Sequence, residues 1–349
     1  MSDAPETTLS SETDTALSAI NASQRGPMDY LPRLVSGVQP SSMIHIGHYF
    51  GALRRHIDLQ HEYPGQMFVC IADYHAMTRS PELTDLRSET IELATVYLAL
   101  GIDVHKCVLY RQSDVPQTFE LYWILACLTS VPELARLPPI RDSKEVSAGL
   151  LTYPVLMAAD VLGLRGTHVP VGSDQVFNLE RVRELARRFT KRYGALLPCP
   201  RIMTSDADVV RGTDGDKMSA KLNNAIGIFE MFPSLQQKVK GIKTDSRGAH
   251  EPKDFRTCIV FRLYSLVAAE DQVNEMREAY TRGTISYAEA KQRLIYAIQN
   301  YFAPMSERYE YFKKRPHDVM DVLRDGLVAA TEEAEITIDA VRQRIGISS

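Results

Sequence analysis

Two short polar strings in this chain carry residue types that bind phosphate groups. Residues 45–48 read H-I-G-H, and residues 215–221 read G-D-K-M-S-A-K. The first string falls where the hydrophobic pattern changes to a helical period, which predicts that His45 and His48 lie in a first helical turn. Backbone N–H groups and the helix dipole attract phosphate there, and imidazole N–H groups add directed donors. Gly47 has no Cβ and lets a flat group such as a purine approach the backbone.

The second string supplies the cations that the first string lacks. Lys217 and Lys221 follow a polar, glycine-containing run at residues 205–216, which is typical of a mobile surface loop. Ammonium groups on such a loop can move toward the β- and γ-phosphates of a nucleotide as these acquire charge. Taken alone, each string also fits an ordinary helix start or a solvated loop. Together they predict the two halves of a site for a triphosphate.

The elements that must position these strings follow an alternating α/β pattern. An apolar run at residues 31–35 leads into the predicted turn residues Ser36, Gly37 and Pro40. Buried parallel strands are predicted at residues 67–71 and 107–110, with crossover helices at residues 86–100 and 119–128. Such sheets bind ligands at the carboxyl ends of their strands, and the polar residues 73–75 directly follow one of them.

The last third of the chain is predicted to be helical and contains few candidate catalytic residues. Helices are predicted at residues 255–267, 271–280 and 287–301, with a last run toward residue 345. The first 24 residues contain four acidic residues and no lysine or arginine, which predicts a disordered tail. We therefore expect an acidic tail at residues 1–30, a catalytic domain at 31–225 and a helical domain at 226–349, whose last helices pack back on the catalytic domain.

Composition limits the class of protein. The chain has 349 residues, 44% of them hydrophobic, and exceeds the usual size of one domain. Its net charge of −4 argues against coating nucleic acid by bulk electrostatics. The six arginines and lysines among residues 181–192 could still meet RNA phosphates, or pair with Glu180 and Glu184.

Targeting signals and cysteine usage point to the cytoplasm. No apolar run is long enough to span a bilayer, and the acidic start of the chain excludes a secretory signal and a typical transit peptide. The five cysteines form no C-x-x-C pair, and most have apolar neighbours. They predict reduced core thiols and no structural metal.

Several longer strings, with the two already described, resemble the class I aminoacyl-tRNA synthetases and most closely their tryptophan-specific members. These strings are residues 36–41, 71–78, 112–116, 146–160 and 169–175. The resemblance runs from about residue 34 to the C-terminus. It implies a Rossmann-like parallel-sheet catalytic domain that forms a homodimer, followed by a helical domain that helps to recognise the tRNA anticodon.

The resemblance also implies a reaction and its residues. L-tryptophan would react with ATP to give tryptophanyl-adenylate and pyrophosphate, and tryptophan would then pass to the 3′-terminal adenosine of its tRNA. His45, His48, Lys217 and Lys221 would be the catalytic residues. The other expected ATP contacts are Gln39, Pro40, Ser41, Gly47, Gly172, Ser173, Asp174, Ile202, Met218, Ser219 and Ala220. Magnesium would be bound through the phosphates, with no protein metal site.

Residue spacing and the family resemblance both predict a pocket for the amino acid. Tyr153, Met157 and Asp160 share one face of a predicted helix. An aromatic ring, a thioether and an acid suit an indole, whose N–H the carboxylate would accept, although spacing alone also fits a core helix whose aspartate has another donor. The resemblance assigns Met157 and Asp160 to the indole and adds His75, Gln175, Val169 and Val171, while Tyr153 is placed there by its spacing. Phenylalanine would leave Asp160 buried without its donor.

The chain departs from the family pattern at the second motif. The family reads K-M-S-K-S, whereas this chain has Ala220 at the second lysine position and a lysine one residue later, at 221. Ser42 also replaces a common glycine, and the basic loop before residue 146 is shortened. These departures leave two alternatives open: a paralogue that delivers tryptophanyl-adenylate to a small amine or a carrier, and a weakly catalytic sensor of tryptophan or RNA.

Overall fold

A parallel five-stranded sheet organises the chain. A computed structural model describes residues 32–41, 43–78, 85–172, 175–204 and 209–347. The strands are β1 Leu34–Val38, β2 Met67–Ile71, β3 Cys107–Arg111, β4 His168–Val171 and β5 Arg201–Thr204. They lie in the order β3-β2-β1-β4-β5 with parallel pairing throughout, which confirms the Rossmann-like fold class. The predicted acidic tail, residues 1–30, lies outside the described residues.

The strands form where apolar runs can be buried on both faces. All five residues of β2 are buried, as its uninterrupted hydrophobic sequence predicts. The prediction of turn residues is wrong for Ser36 and Gly37, which lie within β1. Gly37 is needed for close strand packing, because a Cβ there would lie 3.2 Å from the carbonyl oxygen of Cys70.

Helices connect the strands in the first two hundred residues. They are α1 Ile46–His48, α2 Arg54–Glu62, α3 Asp73–Ala76, α4 Leu86–Leu100, α5 Gln117–Ala126, α6 Val131–Ala135, α7 Pro138–Arg141, α8 Ala148–Gly163 and α9 Val176–Tyr193. A π-helical segment, Tyr49–Leu53, joins α1 to α2. The bounds of α4 match the prediction because Asp85 caps its first turn and Gly101, at φ 108°, ends it. Helix α5 begins two residues before its predicted start, directly after Pro116.

The C-terminal region is helical, as predicted. Its helices are α10 Phe232–Lys240, α11 Ile259–Val267, α12 Glu270–Arg282, α13 Tyr287–Lys313 and α14 Pro316–Ile345. Helix α13 continues through Pro304 and extends well past its predicted end. No helix in the described part of the chain combines the length and the hydropathy of a membrane span.

Helix α14 packs directly on the sheet. A Cβ at Gly326 would overlap the carbonyl oxygen of Leu109 in β3, so only glycine permits this approach. Glu333 of α14 accepts hydrogen bonds from Arg33 at 2.6 Å and from Arg165. The residues from Arg33 onward form one compact unit. The last helix thus contacts the sheet, and the domain boundary at residue 225 stays a prediction.

The cysteines are all free thiols, but not all belong to the core. Cys70 and Cys107 are buried in strands, and Cys258 is half-buried. The prediction of core thiols is wrong for Cys127 and Cys199, which are exposed. Cys127 directly follows the end of α5, and Cys199 lies in the segment between α9 and β5. An apolar sequence context at the end of an element therefore did not mean burial.

A buried chain of polar groups crosses the gap between β1 and β4. These strands pair at Leu34 and His168, and the backbone ladder cannot continue through Pro170, which has no N–H. Instead the hydroxyl of Ser36 donates to the carbonyl oxygen of Pro170 at 3.0 Å. The Nε2 of His56 lies 2.9 Å from that hydroxyl, and its Nδ1 lies 2.9 Å from the hydroxyl of Tyr97.

A neutral His56 satisfies the hydrogen bonds of this chain. Because the Ser36 hydroxyl donates to Pro170, it must accept from Nε2–H of His56, which leaves Nδ1 to accept from Tyr97. Burial lowers the pKa of His56 to about 4. The neutral imidazole therefore fills both of its hydrogen-bonding positions.

We predict that His56 makes stability fall in mild acid. Between pH 6.5 and about 4 the unfolded chain binds a proton on this imidazole that the folded chain does not. The free energy of unfolding therefore falls as the pH falls, by about 2 kcal/mol between pH 7 and 5 from this group alone. Urea unfolding at both pH values measures the loss, and His56→Phe removes this part of it. An equal loss in the two proteins would contradict the assignment.

Candidate nucleotide and amino-acid site

A cavity of about 360 Å³ opens where β1 and β4 part. Its described lining residues are Ser36, Gly37, His45, Gly47, His48, Gly51, Ala52, Arg55, His56, Pro170, Val171, Gly172, Gln175, Met203, Val209, Val210, Lys217 and Met218. The strand order reverses between β1 and β4, and open parallel sheets bind ligands at such a point, beyond the carboxyl ends of the strands. The volume is within the range of small-molecule pockets.

The first motif forms one wall of this cavity. His45 precedes α1 and its ring stacks on that of His48, with centroids 3.6 Å apart. The backbone N–H of His45 donates to Nδ1 of His48 at 3.3 Å, which leaves the ring proton of His48 on Nε2. Burial lowers the pKa of His45 to about 4, so its imidazole is neutral at pH 7. Its Nδ1 is buried and has no partner among the described residues.

The second motif packs on the first through Gly47. A Cβ at Gly47 would lie 2.9 Å from Nδ1 of His45 and 3.3 Å from Cβ of Met218. The glycine thus makes room for a ring of its own motif and for a side chain of the other motif. The chain beyond the second motif also returns to α1, because the N–H of Ile46 donates to the carbonyl oxygen of Ile226 at 2.9 Å. The structure therefore brings His45, His48, Lys217 and Met218 to one cavity.

The segment before Lys217 is ordered by hydrogen bonds. The N–H of Gly212 donates to the carbonyl oxygen of Asp216 at 2.8 Å, and that of Met218 donates to Val210 at 2.9 Å. Residues 209–217 therefore form a small hairpin where sequence predicted an irregular loop, and residues 205–208 lie outside the described part. After Ser219 a 3₁₀ turn covers Ala220–Leu222, on which Lys221 is exposed.

The remaining residues predicted to contact ATP divide into three groups. Gly172 lines the cavity, whereas Ser173 and Asp174 lie outside the described residues. Gln39, Pro40 and Ser41 leave the carboxyl end of β1, and Ser219, Ala220 and Lys221 follow Met218; none of them is among the described lining residues. On β5 the structure places Met203 at the cavity and packs Ile202 in the apolar core, because successive side chains point to opposite faces. Contact of Ile202 with the adenine stays a prediction.

The predicted indole acceptor, Asp160, has two donors in the structure. Nε2 of His75 lies 2.8 Å from its Oδ2, and Nε2 of Gln112 donates to both carboxylate oxygens at 2.9 and 3.0 Å. Gln112 is 1% exposed and also accepts from the N–H of His75 at 3.3 Å. Since a carboxylate offers about four acceptor positions, Oδ1 retains one for a further donor such as an indole N–H.

A second polar chain leads from α8 to the cavity. The hydroxyl of Tyr153 donates to Oδ1 of Asn178 at 3.2 Å, and Nδ2 of Asn178 donates to Oε1 of Gln175 at 2.9 Å. Gln175 lines the cavity, and the ring of Tyr153 lies edge-on to that of His75 with centroids 6.4 Å apart. These contacts therefore link Tyr153 and His75 to the cavity-lining Gln175.

The valines and Met157 occupy different positions relative to the cavity. Val171 lines it, whereas Val169 is buried in the core beneath it. Met157 is half-buried and packs against the core cluster of α8 and α9. Their contact with an indole stays a prediction.

Sequence reasoning gave no role to several residues that build the site. Asp73 accepts from the N–H groups of Tyr74 and Ser113, which ties α3 to the turn that carries Gln112. Burial raises the pKa of Asp73, and the hydrogen bonds from Ser113 oppose that shift. The residues missed are Gln112, Asn178 and the cavity-lining Arg55, whereas Asp73 was indicated only as a polar residue beside the expected ligand. Their only sequence signal was their position directly after a strand or on a motif helix.

Ion pairs occupy part of the basic surface predicted at residues 181–192. Arg188 donates to Glu133 at 2.7 Å and pairs with Glu184, and Arg183 pairs with Glu180 at 3.1 Å. Arg181 also pairs with Glu133 and Glu184. Exposed Arg187, Lys191 and Arg192 remain as candidates for RNA contact. Among the described residues, no three His, Cys, Asp or Glu side chains come together as a metal site.

Comparison with known proteins identifies the family. Residues 31–303 match the family model of tRNA synthetases class I (W and Y). A tryptophan–tRNA ligase of Fusobacterium nucleatum is 39% identical over 324 residues, which cover 91% of this chain and 98% of that protein. A crystal structure of the Campylobacter jejuni tryptophanyl-tRNA synthetase with ADP and tryptophan gives a TM-score of 0.83 at 35% identity, covering 90% of this chain and 99% of that chain.

A second crystal structure, of the Mycoplasma pneumoniae tryptophanyl-tRNA synthetase, gives a TM-score of 0.77 at 27% identity and covers 91% of this chain and 99% of that chain. The resemblance seen in the sequence is thereby confirmed. Because the matches extend over most of the chain, it belongs to the class I tRNA synthetases of the tryptophan and tyrosine group.

Proposed function

We propose that this protein is a tryptophan–tRNA ligase that acts in the cytoplasm. It activates L-tryptophan with ATP and then transfers tryptophan to the 3′-terminal adenosine of its tRNA. The main observation in support is the single cavity lined by residues of both separated motifs, at the point where the strand order reverses. The related Campylobacter jejuni enzyme was solved with ADP and tryptophan, which fits a site for a nucleotide beside a site for an indole.

The first step is an in-line substitution at phosphorus. The carboxylate of tryptophan attacks the α-phosphorus of ATP, the bond between that phosphorus and the α,β-bridging oxygen breaks, and pyrophosphate leaves. The nucleophile is already ionised at neutral pH, so this step needs no general base. Catalysis then consists of positioning the two substrates and stabilising charge on the phosphates.

The phosphate side of the site combines cationic side chains with neutral hydrogen-bond donors. The ammonium of Lys217 stabilises the leaving pyrophosphate, with Lys221 as the second predicted cation. Nε2–H of His48 donates to a phosphate oxygen, and neutral His45 holds the His48 ring by stacking. Gly172 with Ser173 and Asp174 would hold the ribose. Magnesium, bound to the phosphates, would add charge stabilisation.

On the amino-acid side of the site, one hydrogen bond to Asp160 recognises the indole. Asp160 is held from two sides by His75 and Gln112, so the acceptor position on its Oδ1 is fixed before substrate binds. Tryptophan supplies the N–H that this oxygen accepts. Phenylalanine offers no donor and leaves a polar group desolvated without a partner, which costs about 1–3 kcal/mol. Gln175, oriented through Asn178 and Tyr153, provides a polar contact at the cavity wall.

The second step transfers tryptophan to RNA. A ribose hydroxyl of the tRNA attacks the acyl carbon of the adenylate, and AMP leaves. The helical domain, residues 226–349, is proposed to help recognise the anticodon. Tyr296 and Tyr311 are exposed there, and the guanidinium of Arg315 lies 4.5 Å from the ring centroid of Tyr311. Unpaired RNA bases stack on aromatic and guanidinium surfaces of this kind.

An exposed aromatic patch supports a homodimer. Tyr74, Met77, Phe119 and Trp123 form this patch on α3 and α5, with the rings of Tyr74 and Phe119 4.8 Å apart. Trp123 is 68% exposed and is the only tryptophan in the sequence. Contiguous apolar surfaces on soluble proteins mark interaction sites, and a second copy would cover this one.

We predict that the purified protein exchanges pyrophosphate into ATP only when tryptophan is present, and that it charges tryptophan tRNA with ATP and magnesium. Exchange without charging would favour a paralogue with a non-tRNA acceptor. Absence of both reactions, with tryptophan still bound in a calorimetric titration, would favour the sensor. Either result would contradict the ligase proposal.

We predict that Asp160→Ala lowers kcat/KM for tryptophan in pyrophosphate exchange by roughly 30-fold, equivalent to about 2 kcal/mol. The value for phenylalanine should rise, because the variant lacks the carboxylate that phenylalanine would leave desolvated without a partner. Asp321→Ala is the matched control, since that carboxylate is exposed on α14 and pairs with Arg324. Unchanged discrimination between the two amino acids in Asp160→Ala would remove the pocket assignment.

We predict that sedimentation gives twice the chain mass of 39.2 kDa, and that Trp123→Glu reduces it to the mass of one chain. A buried carboxylate is strongly disfavoured at an apolar interface, whereas the exposed monomer tolerates it. Tyr296→Glu, at another exposed ring, should leave the dimer intact. A dimer that persists in Trp123→Glu would place the interface elsewhere.

A further inference from the structure

Asn224 lies behind the second motif with its side chain buried. It is 2% exposed, and its Oδ1 accepts from the N–H of Ser219 at 2.7 Å. Its Nδ2 donates to Oδ1 of Asp214 at 2.8 Å and to the carbonyl oxygen of Lys217 at 3.2 Å. The hydrogen bonds of this one amide thus link the backbone at Lys217 and at Ser219 to the side chain of Asp214 in the hairpin.

The hairpin is shaped to receive this amide. A Cβ at Gly212 would overlap the side chain of Asn224, so any larger residue would push the hairpin away. The backbone of Asn224 contributes as well, because its carbonyl oxygen accepts from the N–H of Thr213 at 2.9 Å. The hydrogen bond from Asn224 is also the main reason that the pKa of Asp214 is lowered.

The same segment carries the contact to the first motif. Two residues after Asn224, the carbonyl oxygen of Ile226 accepts from the N–H of Ile46 in α1 at 2.9 Å. The backbone around Asn224 is therefore fixed to the histidine helix, while its side chain fixes the lysine segment. The relative position of His48 and Lys217 depends on this short stretch.

We propose that Asn224 is a positioning residue for adenylate formation, because its amide holds the Lys217–Ser219 backbone where the ammonium of Lys217 meets the phosphates. The inference rests on the proposed function of the site. Asn224 touches no substrate and acts through the backbone it holds. Preorganised charge is effective only at the correct position, and a displacement of about 1 Å can lower a rate by about 100-fold.

The decisive variant is Asn224→Asp. It keeps the shape and the acceptor for Ser219, but it replaces the NH2 group and its two donors by one oxygen that faces the Asp214 carboxylate and the Lys217 carbonyl. At pH 8 we expect kcat for tryptophan-dependent pyrophosphate exchange to fall by about 10- to 100-fold. KM for tryptophan should change by less than about threefold, because the residues around Asp160 do not contact Asn224.

The pH dependence separates positioning from a general structural role. Two carboxylates at this distance raise the pKa of the pair, so lowering the pH toward 6 places a shared proton between them and restores a donor. The activity of Asn224→Asp relative to the unmodified protein should therefore rise as the pH falls. Adding Asp214→Asn should recover at least about tenfold at pH 8, because the new amide can donate to the new carboxylate.

The matched control is Asn223→Asp, the same chemical change one residue earlier. Asn223 is exposed in a left-handed conformation at φ 53°, which aspartate also tolerates. This control should keep the kcat of the unmodified protein. If Asn224→Asp does not fold, Asn224→Ala introduces no charge and should show the same fall in kcat without the recovery at low pH. Hydrogen exchange should report faster exchange of the Ser219 amide in Asn224→Ala.

The outcomes distinguish this inference from the proposed function. An unmodified protein without tryptophan-dependent exchange would overturn the proposed function. An active unmodified protein with equally active Asn224→Asp and Asn224→Ala would overturn the positioning role alone. Equal losses in tryptophan affinity and in kcat, with no response to pH or to Asp214→Asn, would also overturn it and assign Asn224 to general stability.

Discussion

The parting of β1 from β4 is the constraint on which the rest of the structure depends. Backbone pairing stops at Pro170, which has no N–H to donate. The hydroxyl of Ser36 instead donates a hydrogen bond to the carbonyl oxygen of Pro170. The crevice beyond that link is the space into which both motifs project. Neutral His56 donates a hydrogen bond to the Ser36 hydroxyl. Hydrogen bonds among uncharged groups therefore set the geometry of the opening.

The two halves of the site use different electrostatics for different tasks. On the phosphate side, burial keeps His45 neutral, and the permanent charge in the described lining comes from Lys217 and Arg55. On the amino-acid side, one carboxylate is held between two donors and keeps one acceptor position for substrate.

The sequence predicted the elements better than it predicted the polar network behind them. Buried apolar runs located β2 and β3, and a capping aspartate and a terminal glycine bounded α4. The motifs indicated His48 and Lys217 because their residue types are unusual together. Gln112 and Asn224 could not be found this way, since buried amides look like surface residues until their partners, far along the chain, are known. The choice between Ile202 and Met203 also depended on which face of β5 lines the cavity. The alternation of side chains along a strand defines two faces but does not show which of them meets the cavity.

Because Ala220 stands at the position of the family's second lysine, we expect Lys217 to supply most of the charge stabilisation in the proposed site. In a 3₁₀ turn successive side chains are rotated by about 120°, so a lysine moved from position 220 to 221 points in a different direction. Lys221 is exposed on that turn, and the left-handed Asn223 ends it one residue before the buried Asn224. A site that receives less help from a second lysine depends more on the exact placement of the first. We therefore expect the amide of Asn224, which holds the Lys217 backbone, to matter more for catalysis here than it would beside an intact second lysine.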